Sequence, residues 1–184
     1  MSLQLIIGPM YSGKTTELFR RLRRYTIAGK TTALFRYAKD TRYVENERTR
    51  LARSHDREEM PAIPIADMND AVSSARAVDV IGIDEGQFMG NLAAFCKVLL
   101  DIGKVIIISA LDGTFQRVPF EHSDVLYLVP QAEMVDKLTA ICYGCKETAA
   151  FTKRVDETNT QEVDIGGHDK YVASCRNCFN KKIK

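Results

Sequence analysis

Residues 8–15 read Gly8-Pro9-Met10-Tyr11-Ser12-Gly13-Lys14-Thr15 and match the pattern G-x-x-x-x-G-K-[ST]. An apolar run, Leu3 to Ile7, precedes this stretch, and apolar residues at helical spacing follow it until Gly29. A strand, a glycine loop and a helix in this order form a cradle for phosphates, lined by backbone N–H groups and the positive end of the helix. The alternative is an incidental glycine-rich turn, and the flanking strand and helix disfavour it.

The residue types in this loop predict an ATP site. Lys14 should reach the β- and γ-phosphate oxygens, and the Thr15 hydroxyl should bind Mg²⁺. The whole segment is expected to contribute to ATP binding, with the backbone curling around the phosphates. The residues are Gly8, Pro9, Met10, Tyr11, Ser12, Gly13, Lys14 and Thr15.

Three further apolar runs predict strands of a sheet. They are Thr32 to Tyr37, Val78 to Ile83 and Lys104 to Ala110. The last is apolar almost throughout, as strands are in parallel sheets covered on both faces. Between them we predict helices over residues 67–77 and 91–103, capped by Asp67 and Asn91. This alternation indicates an α/β fold with a central, mostly parallel sheet.

Two stretches fit the alternation less well. Residues 39–59 contain almost no apolar side chain that could pack, so we expect a mobile surface loop there. Beyond Pro130 the pattern weakens to a helical turn near Ala132 to Asp136, followed by short strands around a cysteine-rich end. We therefore divide the chain into an α/β domain, residues 1–137, and a smaller domain, residues 138–184.

Two adjacent carboxylates, Asp84 and Glu85, follow the strand that ends near Ile83. The carboxyl ends of strands are where ligands bind in open α/β sheets. Asp84 is suited to hold Mg²⁺ together with Thr15, and Glu85 to accept the proton of a hydroxyl that attacks the γ-phosphorus. An ATPase would use the same glutamate to orient water. Acids that merely end a strand and cap a turn are the structural alternative.

Four of the five cysteines form two C-x-x-C pairs, Cys142 with Cys145 and Cys175 with Cys178. Paired spacing of this kind favours tetrahedral Zn²⁺ held by four thiolates, a closed and therefore structural site. Four free thiols in a small core are the alternative. We predict a structural zinc ion in a small, zinc-ribbon-like domain. Cysteines arranged for metal rather than for disulfides, with no signal peptide pattern, also favour a cytoplasmic location.

Charge and hydropathy disfavour two classes of partner. The chain has 26 Lys and Arg residues and 24 Asp and Glu residues. The resulting formal net charge of +2 is too small to suggest electrostatic binding of a nucleic acid backbone. The longest apolar runs are far shorter than the ~20 residues that cross a bilayer. We therefore expect neither a nucleic acid nor a membrane partner.

Several longer segments match one family in the same order along the chain. They are GPMYSGKT, YAKDTRY (37–43), IDEGQF (83–88), ALDGTFQRVPF (110–120), LVPQAE, KLTAICYGC, AAFTKR and IGGHDKY. Together, across residues 5–181, they resemble the type II thymidine kinases, which have a RecA-like P-loop domain and carry zinc. The resemblance implies phosphorylation of thymidine, and usually of deoxyuridine, at the 5′-hydroxyl by ATP with Mg²⁺, in pyrimidine deoxynucleotide salvage.

The resemblance also implies roles for individual residues. Glu85 would be the general base. Beyond the loop, the implied ATP-binding residues are Asp84, Gln87, Asp40, Thr41 and Arg42. Arg42 would oppose the charge that develops on the transferring group.

The implied thymine pocket combines apolar side chains with a closing loop. The apolar set is Met10, Phe88, Leu111, Phe115 and Phe120, with Met10 near the methyl group of the base. The loop comprises Glu162, Val163, Asp164, Ile165 and Gly166, with Tyr171 nearby. Backbone groups of this loop would hydrogen-bond the base. By residue type alone the apolar set would equally suit a core, and only the resemblance favours a pocket.

Many members of the family are tetramers inhibited by thymidine triphosphate, so a homotetramer with this feedback inhibitor is implied. A competing hypothesis is a RecA-like ATPase with a zinc ribbon that binds nucleic acid. Such a protein would carry a basic stripe and show hydrolysis stimulated by nucleic acid. The near-neutral charge disfavours it.

Overall fold

A parallel sheet forms the centre of the structure, a computed structural model that describes residues 1–39, 51–54, 58–156, 158, 161–162, 164 and 166–181. The strands are β1 (Ser2–Gly8), β2 (Thr32–Tyr37), β3 (Leu51–Arg53), β4 (Glu59–Pro61), β5 (Ile63–Ile65), β6 (Val80–Asp84), β7 (Val105–Leu111), β8 (Met134–Lys137), β9 (Ala140–Ile141), β10 (Thr148–Ala149), β11 (Phe151–Arg154) and β12 (Tyr171–Ser174). The helices are α1 (Lys14–Ile27), α2 (Met68–Arg76), α3 (Leu92–Asp101) and α4 (Arg176–Phe179). Six strands pair in the order β5-β2-β6-β7-β1-β8, each parallel to its neighbours, which confirms the predicted α/β fold.

Apolar side chains cover both faces of this sheet. On one face, Leu3 and Leu5 of β1 belong to a buried cluster with residues of α2 and α3. On the other face, Ile6 belongs to a cluster with Leu18 and Phe19 of α1. Successive residues of an extended strand point to opposite faces, so one strand supplies both clusters. Burial on both faces explains why the strands are almost continuously apolar in sequence.

The predicted helices form, although one is capped by an unpredicted residue. The Asp67 carboxylate accepts a hydrogen bond of 2.8 Å from Asn69 N at the start of α2, as predicted. At the start of α3, Ala93 N donates instead to Asp124 Oδ2 at 3.0 Å. Asn91 occupies the N-cap position, but the capping carboxylate comes from a distant turn. No helix in the described part of the chain combines the length and the apolar character needed to cross a bilayer.

The helical turn predicted near Ala132 to Asp136 is wrong. Residues 134–137 form strand β8, which pairs in parallel with β1, and the helical turn lies just before it, over Val125–Gln131. Glu133, just before β8, also bonds to β1. Its backbone N–H donates to Leu3 O at 3.0 Å, and its carboxylate accepts from Leu3 N at 2.6 Å. Pairing with a distant strand thus overrides a local helical pattern.

The polar segment predicted as a surface loop, residues 39–59, contains a strand. Within it β3 pairs with β4 as an antiparallel hairpin, and Ala52 reaches the same buried cluster as α1. Residues 40–50 and 55–57 lie outside the described residues, so the expected mobility of the loop stays a prediction.

After β8 the chain forms a small cysteine-bearing unit of two antiparallel pairs, β9 with β10 and β11 with β12. Its own buried cluster comprises Ala140, Cys142, Ala149 and Ala173. The sheet ends with Lys137, next to the boundary expected from the sequence. The division into domains 1–137 and 138–184 stays a prediction.

We predict that Gly82→Ala destabilises the sheet. Gly82 lies within β6, where a Cβ atom would come within 2.6 Å of Leu22 Cδ1 and 3.1 Å of Leu34 Cδ1. Because both leucines are buried, the free energy of unfolding should fall by about 1–3 kcal/mol, measured by urea denaturation. Gly90→Ala is the control, since a Cβ atom there meets open space. Equal stability of the two variants would contradict this packing argument.

Candidate active site

The loop between β1 and α1 is closed by hydrogen bonds that converge on one carbonyl group. Ser12 Oγ donates to Pro9 O at 2.8 Å, and Lys14 Nζ donates to the same oxygen at 2.7 Å. The lysine ammonium is therefore held against the loop backbone, and Lys14 is also the first residue of α1, whose N-terminus adds partial positive charge. A cavity beside the loop is lined by Met10, Tyr11, Gly13, Lys14, Thr15, Thr16, Glu85 and Leu111.

Thr15 and Asp84 meet at the carboxyl end of β6. The Thr15 hydroxyl donates to Asp84 Oδ1 at 3.1 Å, and the Ser109 hydroxyl, from β7, donates to the same carboxylate oxygen. Asp84 is 7% exposed. The first residues of α1 and the end of the sheet thus bring together a hydroxyl and a carboxylate, which are oxygen ligands that suit Mg²⁺.

Glu85 is oriented by a short chain of hydrogen bonds. Its backbone has φ 57° and ψ 43°, a left-handed conformation that turns the chain sharply after β6. Gln87 Nε2 donates to Glu85 Oε2 at 2.5 Å, and Gln87 Oε1 accepts from Leu111 N at 2.9 Å. Since Gln87 is only 3% exposed, its amide is a fixed support for the glutamate.

A second cavity also borders Glu85, and about 460 Å³ of empty space, part of it open to solvent, lies between its walls. Its lining is Met10, Glu85, Phe88, Leu111, Gly113, Thr114, Phe115, Phe120, Thr152, Glu162, Asp164, Gly166 and Tyr171. Phe88 and Phe120 meet edge to face, with ring centroids 5.9 Å apart. The two spaces adjoin, because both are lined by Met10, Glu85 and Leu111.

The structure brings together most of the residues expected from the sequence. All described residues of the expected thymine pocket line the second cavity. Val163 and Ile165 of the closing loop lie outside the described residues, as do Asp40, Thr41 and Arg42. Gln87 lines neither cavity, and its amide lies behind Glu85, so its expected contact with ATP stays a prediction.

Sequence reasoning missed polar residues on β11 that shape the second cavity. Thr152 lines it and accepts a hydrogen bond of 2.9 Å from Met10 N. Arg154, 4% exposed, lies 3.8 Å from the centroid of the Phe115 ring and donates to the Tyr171 hydroxyl at 2.6 Å. Residues i and i+2 of a strand share a face, so a Thr-x-Arg pattern in AAFTKR could have indicated a buried polar face.

The four paired cysteines converge in the small unit. Their sulfur atoms all lie within 4.8 Å of one another, and Cys145 Sγ and Cys175 Sγ are 3.5 Å apart. Burial opposes ionisation of Cys142, but N–H groups of Cys145, Cys175 and Gly144 stabilise its thiolate and lower its pKa to about 6. The neighbouring Cys145 and Cys175 sulfurs raise the pKa of the Cys178 thiol to about 12. The crowded sulfurs therefore favour one thiolate but oppose four, unless a cation balances their charge.

Known proteins resemble this chain over nearly all of its length. The profile of the family described as "Thymidine kinase" matches residues 1–179. The chain is 48% identical to "Thymidine kinase 1" of Dictyostelium discoideum over 178 residues, which cover 97% of this chain and 77% of that protein. It is 49% identical to "Thymidine kinase, cytosolic" of Homo sapiens over 180 residues, 98% of this chain and 74% of that protein.

A viral relative agrees with this assignment. "Thymidine kinase" of Myxoma virus (strain Lausanne) is 46% identical over 177 residues, which cover 96% of this chain and 95% of the viral protein. The resemblance carried by the sequence motifs is therefore confirmed. Because the family profile and these relatives span nearly the whole chain, the protein belongs to the thymidine kinase family.

Proposed function

We propose that this enzyme transfers the γ-phosphate of ATP to the 5′-hydroxyl of thymidine, and also of deoxyuridine, to give the monophosphate in pyrimidine deoxynucleotide salvage. One observation carries the proposal: Glu85 lines both the cavity beside the phosphate loop and the second cavity. A phosphoryl donor in the first cavity and a nucleoside in the second would have the carboxylate between them.

The donor side suits the triphosphate of ATP. Backbone N–H groups of the loop from Gly8 to Thr15, the Lys14 ammonium and the N-terminus of α1 would neutralise the phosphate charges. Thr15 and Asp84 would hold Mg²⁺, which would draw electron density from the β- and γ-phosphate oxygens when bound. The segment with Asp40, Thr41 and Arg42 would complete this site, and Arg42 would oppose charge on the transferring group.

On the acceptor side, Glu85 would act as the general base. It would accept the proton from the 5′-hydroxyl as that oxygen forms a bond to the γ-phosphorus, while the bond from phosphorus to the bridging oxygen of ADP breaks. The hydrogen bond from Gln87 would keep the carboxylate aimed at the nucleoside rather than at solvent. Positioning of this kind accounts for much of the rate in phosphoryl transfer.

The second cavity suits a pyrimidine base more than a nucleic acid strand. Phe88, Phe115 and Phe120 offer faces and edges for a planar ring. Base edges would be recognised by backbone groups of residues 162–166, near Tyr171. A small cavity of this kind also disfavours a nucleic-acid-stimulated ATPase, because a polymer would need an extended groove with stacking platforms.

We also propose that Cys142, Cys145, Cys175 and Cys178 hold a structural zinc ion. Four converging sulfurs whose charges oppose one another fit a tetrahedral thiolate site for a dication. Its place beside β12 would tether the strand that carries Tyr171. The ion would stabilise the fold of the closing segment without touching substrate.

We also propose an oligomeric state, a feedback inhibitor and a cellular location for this enzyme, from its resemblance to the family. We expect a homotetramer that is inhibited by thymidine triphosphate, which could occupy both cavities at once because they adjoin. A cytoplasmic location is supported by free cysteines and by the name of the human relative, "Thymidine kinase, cytosolic". We expect no nucleic acid or membrane partner.

Glu85→Gln should lower kcat for thymidine phosphorylation by about 10²–10⁴-fold, the usual contribution of a general base. Binding of ATP and thymidine should remain near that of the wild type, because the amide keeps the size of the carboxylate. The assay separates monophosphate from inorganic phosphate, so kinase and ATPase activity are distinguished. Glu147→Gln, at an exposed position away from both cavities, is the matched control. Full turnover by Glu85→Gln would refute the assigned role.

Lys14→Ala should weaken binding of a non-hydrolysable ATP analogue and remove most turnover, because the loop loses its ammonium group. Calorimetric titration with the analogue and Mg²⁺ measures the affinity. Lys97→Ala, on the exposed face of α3, controls for loss of one positive charge. If ATP affinity and turnover survive in Lys14→Ala, the loop is not the donor site.

Metal analysis of the purified enzyme should find one zinc per chain, and Cys145→Ser or Cys175→Ser should reduce that content. The residual three-thiolate site loses affinity because it no longer encloses the ion. Cys96→Ala, a buried cysteine of α3 outside the cluster, should keep its zinc. Wild-type protein free of zinc after preparation in zinc-supplemented medium would end the proposal.

A further inference from the structure

Tyr11 extends from the phosphate loop into the cysteine-bearing unit and contacts it in three ways. Its ring packs on the buried cluster of that unit, which includes Cys142 and Ala173. The same ring stacks on His168, with centroids 3.9 Å apart and an interplanar angle of 11°. Its hydroxyl donates to Tyr171 O at 3.1 Å. A single side chain of the phosphate loop is therefore held by the cysteine-bearing unit, which also lines the second cavity.

The backbone of Tyr11 is in an unfavourable conformation. Its φ of 65° is in the left-handed region, which residues with a Cβ atom rarely adopt. Such a conformation persists only where surrounding contacts determine it, and it is common at sites where loop geometry matters for function. The contacts of the Tyr11 side chain with the cysteine-bearing unit are among those that hold this residue in place. We therefore expect the geometry of the phosphate loop to respond to the position of that unit.

The residues beside Tyr11 join the same two parts of the molecule. Met10 N donates to Thr152 Oγ1 at 2.9 Å, so the loop backbone is bonded to β11. Gly8 is in contact with the chain just before β9, because a Cβ atom there would lie 2.5 Å from Leu138 O. Contact with Tyr171 matters most, since the backbone of this residue accepts the Tyr11 bond while the residue itself lines the nucleoside cavity.

From this geometry we propose that Tyr11 is a positioning residue that couples ATP binding to nucleoside binding. A nucleoside that contacts Tyr171 restricts the partners of Tyr11, and so favours the loop conformation that receives the phosphates. By linkage, ATP bound at the loop favours nucleoside binding beside Tyr171 to the same degree. The inference rests on the proposed assignment of ATP to the loop and of the nucleoside to the apolar cavity.

The test measures the thymidine Kd with and without a saturating non-hydrolysable ATP analogue and Mg²⁺. For the zinc-loaded wild type we expect at least about 5-fold tighter thymidine binding with the analogue present, the lower end of typical coupling between sites. Tyr11→Phe keeps the ring and removes the bond to Tyr171 O, and His168→Ala removes the stack. In both variants the ratio of the two Kd values should fall toward one.

Steady-state kinetics separate coupling from a general structural effect. With Tyr11→Phe we expect KM for thymidine at saturating ATP to rise, while the zinc content and the urea midpoint stay as in the wild type. Tyr143→Phe is the matched control, because Tyr143 is an exposed tyrosine of the same unit. It should leave the coupling ratio unchanged.

Each other outcome has a distinct meaning. If both ligands bind the wild type but thymidine affinity does not respond to the analogue, or if both variants keep the full coupling ratio, the role of Tyr11 is refuted and the proposed function stands. If the wild type binds neither ligand, or binds the analogue independently of Lys14, the assignment of the sites fails and the coupling fails with it.

Discussion

The parallel register of the central strands determines where chemistry can occur in this enzyme. Pairing of β1 with β7 aligns Gly8 with Leu111, and pairing of β2 with β6 aligns Arg36 with Asp84. Three parts of the chain therefore leave the sheet at the same end. They are the phosphate loop after β1, the acidic pair Asp84 and Glu85 after β6, and the segment that follows β7. Shifting β1 by one residue would turn its side chains to the opposite face and separate the loop from Asp84, so burial of both faces also protects the site.

Glu85 shows how the end of one strand serves two cavities. Side chains of successive strand residues point to opposite faces, so two acids in a row would normally diverge. Asp84 completes the strand and meets Thr15, whereas the left-handed turn at Glu85 redirects the chain and lets Gln87 hold the second carboxylate. The proposed metal-binding acid and the proposed base can therefore be neighbours in sequence and still face different partners.

Motifs with local geometry were predictable from the sequence, and features decided by distant pairing were not. The phosphate loop, the strand before Asp84 and the Asp67 cap depend on neighbouring residues, and all three form as predicted. Residues 134–137 form a strand by pairing with β1, which is distant in sequence. The N-terminus of α3 is capped by Asp124, which also lies far along the chain. The contacts of Thr152 with Met10 and of Arg154 with Phe115 could not be predicted, because these partners are far away in the sequence.

The cysteine-bearing unit lines the second cavity as well as forming its own small core. Its strand β11 supplies Thr152 to the second cavity and places Arg154 against Phe115, while β12 supplies Tyr171. The guanidinium of Arg154 joins two walls, since it stacks on an aromatic ring from the segment after β7 and bonds the phenol of β12. A buried cation bonded in this way resists separation of its partners, because opening would leave its charge without them. The same unit that would be stabilised by zinc thus contributes to the shape of the second cavity, and its contacts with Met10 and Tyr11 extend to the phosphate loop.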